Sequence, residues 1–496
     1  MINPQKTTLA LLAGAAAFST LAPTAQAQSS DGLIDKLVEK GILTVKEAQD
    51  LRDESDKDFR TAVQSFSGMP DWVTGYKFTG DFRGRYDQYS TPSAGGNPTT
   101  SSGQPVSLNN GIDHIRLRYR LRFGVTVNMR DNLEAGFRLG SGDPKGSNGG
   151  GNALSNSSTL QQGFDQKPVY IDTAYGKWTI VNNAKWELSA AIGKMDSPFH
   201  FTPMVFDQDL TPEGVQSVTT YHVNDRNTLE LVTAAYVLND SYWSGNNNGN
   251  GLNGSKQSPF LYGGEFTWTA KWSPKWTTAL GGGALEIVNA QGLNADIAYN
   301  SNPSVYLPLS NLGNSRNSNG EMLYNFVPLI ADASATYNCD TFPFYQGVFP
   351  IKFQAEFIDN IGAPSNNRGY WGGITFGKAG TKGTWELAYR YEYLESDAWY
   401  DQLTDDDNVA FYPYSPVYEA VPGSSLAGIP GGYVGGTNIK GHLFRLTYNV
   451  TDAMSVSFIC YLNKLINENP YSSLGVSVSE TQSTAIHFMA DANWKF

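Results

Sequence analysis

The chain has 496 residues, of which 17% are charged, and its formal net charge is −12. This acidic balance disfavours nucleic-acid binding, which needs a basic surface. After the first 27 residues, no segment approaches the roughly 20 apolar residues that a membrane-spanning helix requires, which excludes a helical membrane protein.

Residues 1–27 have the pattern of an export signal. Lys6 precedes an apolar run over residues 9–18, and Ala25-Gln26-Ala27 matches the small-x-small pattern of a signal peptidase site. A membrane-anchoring helix is the alternative, but the run is short and has small flanking residues. We expect the signal to be cleaved and the protein to be exported.

Residues 28–68 form a charged segment ahead of the β-rich part of the chain. Leu33 and Leu37 begin a helical spacing of apolar residues, and Thr44 with Glu47 forms a capping box. The segment therefore predicts two short helices in the periplasm. A loosely ordered spacer is the alternative.

From residue 71 to residue 496, the chain contains stretches in which apolar and polar residues alternate. In HIRLRYRLRFGVTVN (114–128), every second residue from 116 to 122 is arginine, and the residues between them are apolar or aromatic. On a helix these arginines would scatter around the axis, whereas on a strand they share one face. The stretch therefore predicts a strand with one cationic and one apolar face.

The same period-two pattern, bounded by turn residues, recurs along the chain. It predicts strands near residues 75–89, 114–128, 133–141, 168–179, 184–194, 216–223, 227–240, 260–272, 276–288, 324–337, 349–361, 369–378, 383–396, 438–449, 454–464 and 482–496. Short connections alternate with long ones, which is typical of outer-membrane barrels. We therefore expect an all-β fold: a transmembrane antiparallel β-barrel of about 16 strands, with a short periplasmic helical segment at its N-terminus.

The closing stretch AIHFMADANWKF (485–496) places apolar residues at every second position up to Trp494 and Phe496. This ending looks like the signal by which the barrel assembly machinery recognises outer-membrane proteins. An ordinary edge strand that happens to end on phenylalanine is the alternative.

These stretches resemble bacterial outer-membrane porins, and more narrowly a family known only as putative porins. The resemblance is carried by RLRYRLRFGVTVNMRDNLEAGFRLGSGD (116–143), GKMDSPF (193–199), MVFDQDLTPEG (204–214), GTNIKGH (436–442) and the closing strand. It implies a water-filled channel for passive diffusion of small hydrophilic solutes through the outer membrane of a Gram-negative cell. It also implies a homotrimer in contact with outer-membrane lipid and lipopolysaccharide.

Assigning the polar face of each strand to the lumen predicts an excess of basic residues on the inner wall. The basic residues expected to line the pore are Arg83, Arg85, Arg116, Arg118, Arg120, Arg122 and Arg138. Such a ladder favours anions, so we expect weak anion selectivity. Because like charges repel, counter-charges are expected nearby, and Asp81, Asp87 and Glu134 are candidates.

The third loop of general porins folds into the barrel, so the resemblance implies an inward-folded loop over about residues 194–215. Its predicted constriction residues are Lys194, Asp207, Asp209 and Glu213. The alternative is that its acids form purely structural ion pairs with the ladder. The spacing does not match a calcium-binding hand loop, and we expect no metal ion and no cofactor.

Two other functions compete with a diffusion channel. The barrel could serve mainly as an adhesin or an envelope tether. A barrel enzyme is the third candidate, suggested by His442 and Ser455 on adjacent predicted strands. Because barrels place polar residues inside in any case, we expect no enzymatic activity.

Overall fold

The computed structural model of the protein describes residues 70–91, 112–143, 155–160, 166–238, 258–290, 313–315, 322–408, 436–467 and 483–496, and the single residues 44, 163, 293 and 410. The predicted signal (1–27) and the predicted helical segment (28–68, apart from Thr44) lie outside the described residues. Among the described residues, no helix is long and apolar enough to span a membrane.

Sixteen long strands follow one another along the chain. They are β1 (Val73–Thr91), β2 (Ile112–Met129), β3 (Leu133–Ser141), β4 (Val169–Asn182), β5 (Trp186–Lys194), β6 (Glu213–Asn224), β7 (Asn227–Val237), β8 (Phe260–Lys271), β9 (Trp276–Val288), β10 (Pro328–Cys339), β11 (Phe349–Asn360), β12 (Arg368–Gly377), β13 (Trp385–Leu394), β14 (Ile439–Asn449), β15 (Met454–Leu465) and β16 (Ala485–Lys495). A two-residue strand, Ser158–Thr159, pairs with Arg118 and Tyr119 of β2.

The sixteen strands form a closed antiparallel barrel. Each strand pairs with the next along the chain, and β16 returns to pair with β1 from Asp81↔Lys495 to Ser90↔Ile486. Closure leaves no exposed strand edge. The predicted antiparallel β-barrel of 16 strands is confirmed, and the helical segment predicted at its N-terminus stays a prediction.

The two faces of the wall differ as the alternation predicted. On β2, Leu117 is 53% exposed and points outward, whereas its neighbour Arg118 is 8% exposed and points into the barrel. Large apolar side chains such as Phe82, Leu280 and Phe353 are exposed on the outer surface. An apolar exterior of this kind suits contact with lipid.

The connections differ at the two ends of the barrel. At one end, short turns join the strands at residues 130–132, 183–185, 225–226, 272–275, 340–348, 378–384 and 450–453. At the other end lie the longer loops, including loop 2 (142–168), loop 3 (195–212) and loop 7 (395–438).

Two glycines form the base of loop 3. Gly193 at the end of β5 pairs with Gly214 at the start of β6, and their φ angles are +131° and +153°. A Cβ atom at Gly193 would lie 2.3 Å from the Ala174 carbonyl oxygen, and one at Gly214 would lie 2.1 Å from that of Ala235. Both positions therefore require glycine for conformation as well as for space.

We expect Gly193→Ala and Gly214→Ala each to destabilise the barrel by about 1–3 kcal/mol, because a side chain is strained there. The measurement is thermal or urea unfolding of the refolded protein in detergent. Gly176→Ala on β4 is the matched control, since nothing lies within 4 Å of its Cβ position. Equal stability of all three variants would contradict the prediction.

Candidate functional site in the barrel lumen

The predicted arginine ladder lies on the inner faces of β1, β2 and β3. Arg85 and Arg118 are 6% and 8% exposed, and the remaining ladder side chains are also shielded from solvent by their neighbours. All of them extend from inward-facing positions of adjacent strands, as the alternation required.

Aspartates neutralise most of the ladder. Arg120 and Arg122 share Asp81, at 3.0 and 2.8 Å, and Arg116 bonds Asp87 at 2.8 Å. Further pairs join Arg118 to Asp87, Arg85 to Asp491, and Arg138 to both Asp172 and Asp196. The ladder is thus a network of alternating charges, in which Asp81 and Asp87 act as the predicted counter-charges. Glu134 instead accepts a hydrogen bond from Tyr175.

Arg83 is bound differently from the other ladder residues. It is 8% exposed, and it donates from Nη2 to Ser157 Oγ at 2.7 Å. Ser157 belongs to loop 2, whose backbone at the same residue also lies 3.4 Å from Arg118 Nη2. Loop 2 therefore reaches the inner wall beside the ladder.

The opposite wall carries carboxylates. The strand register aligns Glu230 of β7, Thr267 of β8, Gly281 of β9, Asp332 of β10, Glu356 of β11, Trp371 of β12 and Glu392 of β13 in one inward-facing row. Glu265 occupies the neighbouring inward position of β8. We call Glu230, Glu265, Asp332, Glu356 and Glu392 the acidic belt; Lys352 and Arg390 are basic residues on the same strands.

Loop 3 docks on the acidic belt through its backbone. The amide of His200 donates to Glu265 Oε2 at 2.7 Å, and the amide of Thr202 donates to Glu356 Oε2 at 2.9 Å. The His200 ring contacts Glu230 Oε1 at 2.5 Å. Charged acceptors give strong hydrogen bonds, so these carboxylates fix the loop against the wall.

A hydrophobic core lies inside the barrel. Met204 and Val205 of loop 3 and Trp399 of loop 7 are each 0% exposed, and they pack against wall residues such as Tyr236 and Ile358. Burial of these side chains from water stabilises the inward position of both loops. Loop 7 is thus a second inward-folded element, which the sequence did not predict.

Hydrogen bonds tie loop 7 to loop 3. The amide of Asp207 donates to the Leu403 carbonyl at 2.9 Å, and the amide of Asp405 donates to the Pro203 carbonyl at 3.0 Å. The Trp399 indole donates to the Val205 carbonyl at 2.7 Å. The two loops therefore behave as one internal structure, which we call the loop 3–loop 7 plug.

The plug also reaches the ladder side of the lumen. Arg85 Nη1 donates to Asp407 Oδ2 at 3.0 Å, and His487 Nδ1 lies 2.8 Å from the Asp407 carbonyl oxygen. Arg120 contacts Asp209 at 3.2 Å. The plug thus spans the lumen between the acidic belt and the arginine ladder, where it narrows the interior.

The centre of the plug holds three close carboxyl groups. Oxygen atoms of Asp207, Asp405 and Asp406 lie within 4.8 Å of one another. Burial and mutual repulsion raise the pKa of Asp207 and of Asp405 to about 7, and burial raises the pKa of Asp406 well above its ordinary value. Nearby Asp407 behaves oppositely: its pKa is lowered, because Arg85 and His487 outweigh the cost of burial.

The structure separates the predicted constriction residues into two groups. Asp207 and Asp209 lie in the plug. Lys194 and Glu213 pair with each other at 3.4 Å where β5 ends and β6 begins. Ala174, the register partner of Lys194, and Val237, the register partner of Glu213, are both exposed, so this pair lies at the base of loop 3 on the outward-facing side of the wall. A contribution of Lys194 and Glu213 to the pore stays a prediction.

We expect the plug to loosen as pH rises. A carboxyl group whose pKa is raised in the folded plug stabilises the plug while it is protonated. This stabilisation is complete below the ordinary pKa of 3.8, and it is lost as pH rises through about 7, the pKa of Asp207 and Asp405 in the plug. Hydrogen exchange of residues 201–210 and 399–408, corrected for intrinsic rates, should therefore show less protection at pH 8.5 than at pH 5.5.

Asp405→Asn should weaken this pH dependence, because an amide can keep the contacts to the Asp407 amide and the Tyr461 hydroxyl without acquiring charge. Asp340→Asn, in an exposed turn, is the control. Protection that is equal at both pH values in the wild-type protein would refute the assignment.

Comparison with known proteins gives one family and several distant structures. Residues 65–307 match the family described as "Putative porin". No curated protein matches the chain. OprB of Pseudomonas putida is 13% identical, with 88% of this chain and 96% of that chain covered and a TM-score of 0.44.

Two other solved structures show similar coverage at lower identity. OmpF of Salmonella typhi, in complex with daunomycin, is 10% identical over 85% of this chain and 97% of that chain, with a TM-score of 0.40. OmpT of Vibrio cholerae is 9% identical over 86% and 99%, with a TM-score of 0.38. The barrel fold of this chain follows from the register of its own sixteen strands. The family match over residues 65–307 confirms the predicted resemblance to outer-membrane porins of the putative porin family.

Proposed function

We propose that the protein is a porin: a water-filled outer-membrane channel for passive diffusion of small hydrophilic solutes. The observation that carries the proposal is the closed barrel with an apolar outer face and a charged inner face narrowed by the loop 3–loop 7 plug. Such a wall separates lipid from water, and the plug sets the size and charge of what passes.

Weak anion selectivity is the finer part of this proposal. The ladder contains seven arginines, and their aspartate partners cancel much of the charge. Arg83, however, bonds the uncharged Ser157 hydroxyl. Because the positive charge of the arginine ladder is only partly cancelled, the pore has a small preference for anions. The electric field between the ladder and the acidic belt orients dipolar solutes.

A homotrimer with the long loops outside the cell completes the proposal. The outer face of β3–β7 contains a shallow groove of about 800 Å³. Small residues line it, including Ala135, Gly176, Ala190 and Ala235. Small side chains allow close approach of another protein surface in a membrane, whereas the neighbouring outer face presents large apolar residues.

The two competing functions draw less support from the structure. For a barrel enzyme, His442 pairs with Leu462 and Ser455 pairs with Asn449, so the two lie seven residues apart along β14, about 23 Å. His442 is also exposed beside Phe444 on the outer face. A tether or adhesin would act through the long loops, and many residues of these loops lie outside the described part of the chain.

Reconstitution in a planar bilayer with a salt gradient tests the proposal directly. We expect stable ohmic conductance steps and a reversal potential displaced slightly toward the anion value. Correctly folded oligomers that give no conductance would refute the channel and favour the tether.

Arg118→Glu with Arg120→Glu should move the reversal potential toward cations, because two positive charges on the ladder side of the lumen are replaced by two negative ones. The matched control is Arg130→Glu with Arg226→Glu, which makes the same charge change at two turns at the barrel rim. An unchanged reversal potential in the ladder variant would remove the ladder from selectivity.

Trp399→Ala should raise single-channel conductance and its noise, because it removes a fully buried anchor of the plug and a hydrogen bond to Val205. The lost packing corresponds to about 3–5 kcal/mol. Trp276→Ala, 45% exposed on the outer rim, is the control and should leave conductance unchanged. Wild-type conductance in the folded Trp399 variant would show that the plug does not limit the pore.

A further inference from the structure

Three buried oxygen atoms of the wall under loop 3 have unused bonding capacity. Within the described part of the chain, Glu265 Oε1, Thr267 Oγ1 and Asp332 Oδ2 are buried and have no hydrogen-bond partner. Glu265 is 1% exposed and Thr267 is 9% exposed. A buried polar group without a hydrogen bond costs about 1–3 kcal/mol, and a charged group costs more. A bound ligand would supply the missing bonds.

The register brings these three groups to one place. Thr267 of β8 and Asp332 of β10 flank Gly281 of β9 in the same inward-facing row. Asp332 leans over this glycine, since its Oδ2 lies 2.0 Å from the position that a Cβ of Gly281 would take. Glu265 lies two residues before Thr267 on the same face. Because Gly281 has no side chain, the space above it is open to the oxygens of Glu265, Thr267 and Asp332.

Loop 3 forms the roof of this space. His200 donates its amide to the other oxygen of Glu265 at 2.7 Å, which leaves Oε1 for a different partner. Phe201 packs over Gly283, with its ring 2.7 Å from the position that a Cβ would take there. Loop 3 therefore covers this part of the wall from the lumen side. A single ion bonded to all three oxygens would satisfy them.

The chemistry of the donors defines the ligand. Two carboxylates and one hydroxyl are hard oxygen ligands, which Ca²⁺ and Mg²⁺ prefer. A cation bound between two carboxylates would offset their mutual repulsion. Asp332 also pairs directly across the strands with Glu356, which adds negative charge to the same region. Two cationic groups lie near these carboxylates: the His200 ring, which contacts Glu230, and Lys352, whose charge acts on Asp332. Neither donates a hydrogen bond to Glu265 Oε1 or to Asp332 Oδ2.

We propose that Glu265, Thr267 and Asp332 form a divalent-cation site, for which Ca²⁺ is the natural probe, and that the bound ion holds loop 3 on the acidic belt. The carboxylates of Glu265 and Asp332 and the hydroxyl of Thr267 supply three ligands, and water supplies the rest. The ion would offset the repulsion within the belt at the point where loop 3 docks. The proposal does not depend on conduction.

The test uses the full-length protein, refolded in detergent and freed of metal with a chelator. Calorimetric titration with CaCl₂ should show saturable binding, and Ca²⁺ should raise the midpoint of thermal unfolding. Glu265→Gln with Asp332→Asn should abolish both effects. Glu134→Gln, which removes one inner-wall carboxylate that accepts from Tyr175, is the control and should bind like the wild type.

A milder pair of variants covers the case in which the double variant does not fold. Thr267→Val keeps the shape of the side chain but removes the ligand oxygen, and we expect about tenfold weaker binding. Thr267→Ser keeps the oxygen and should bind like the wild type. Equal affinities for Val and Ser at this position would refute the site.

Three further results would also overturn the proposal. One is an absence of Ca²⁺ binding at millimolar concentration, which would leave buried water as the partner of these oxygens. Another is binding that the double variant does not change, which would place the ion elsewhere, for example among Asp207, Asp405 and Asp406. The third is binding that appears only in Lys352→Met, which would show that Lys352 already neutralises the pair.

Discussion

The structure depends on one constraint: a backbone that crosses hydrocarbon must satisfy its own hydrogen bonds. Sixteen strands meet this constraint only because β16 returns to β1 and leaves no unpaired edge. Because successive side chains of a strand alternate, closure then places one set against lipid and the other in the lumen, except at the β-bulges. The exposed apolar side chains outside and the paired charges inside are both consequences of that division.

The lumen is organised by opposite charges on opposite walls. On one wall, arginines and aspartates are interleaved, so that Asp81 and Asp87 each hold two arginines. On the other, the acidic belt accepts the amides of loop 3. Between the walls, apolar side chains of loops 3 and 7 form a core of their own. The barrel therefore encloses a folded structure that occupies part of its lumen.

The sequence predicted the strands well because alternation is local. It predicted less of the wall that faces the plug. Inward positions of β7 to β10 include Tyr236, Leu261, Leu285 and Ile330, which belong to the same hydrophobic cluster as the buried residues of loops 3 and 7. Both faces of these strands are thus apolar in part, and Glu230 and Asp332 did not stand out as lumen residues. The docking of loop 7 joins residues about 200 positions apart, and no local pattern carries that information.

The contacts of Asp407 have a consequence for assembly. Its partners Arg85 and His487 belong to the first and the last strand, which meet only when the cylinder is complete. Arg85 also bonds Asp491 across that junction. Loop 7 therefore has no finished docking surface until the two ends of the chain have joined. Once docked, loop 7 bonds to both β1 and β16 on the inside of the barrel. It therefore stabilises the closed barrel after the last strand has paired.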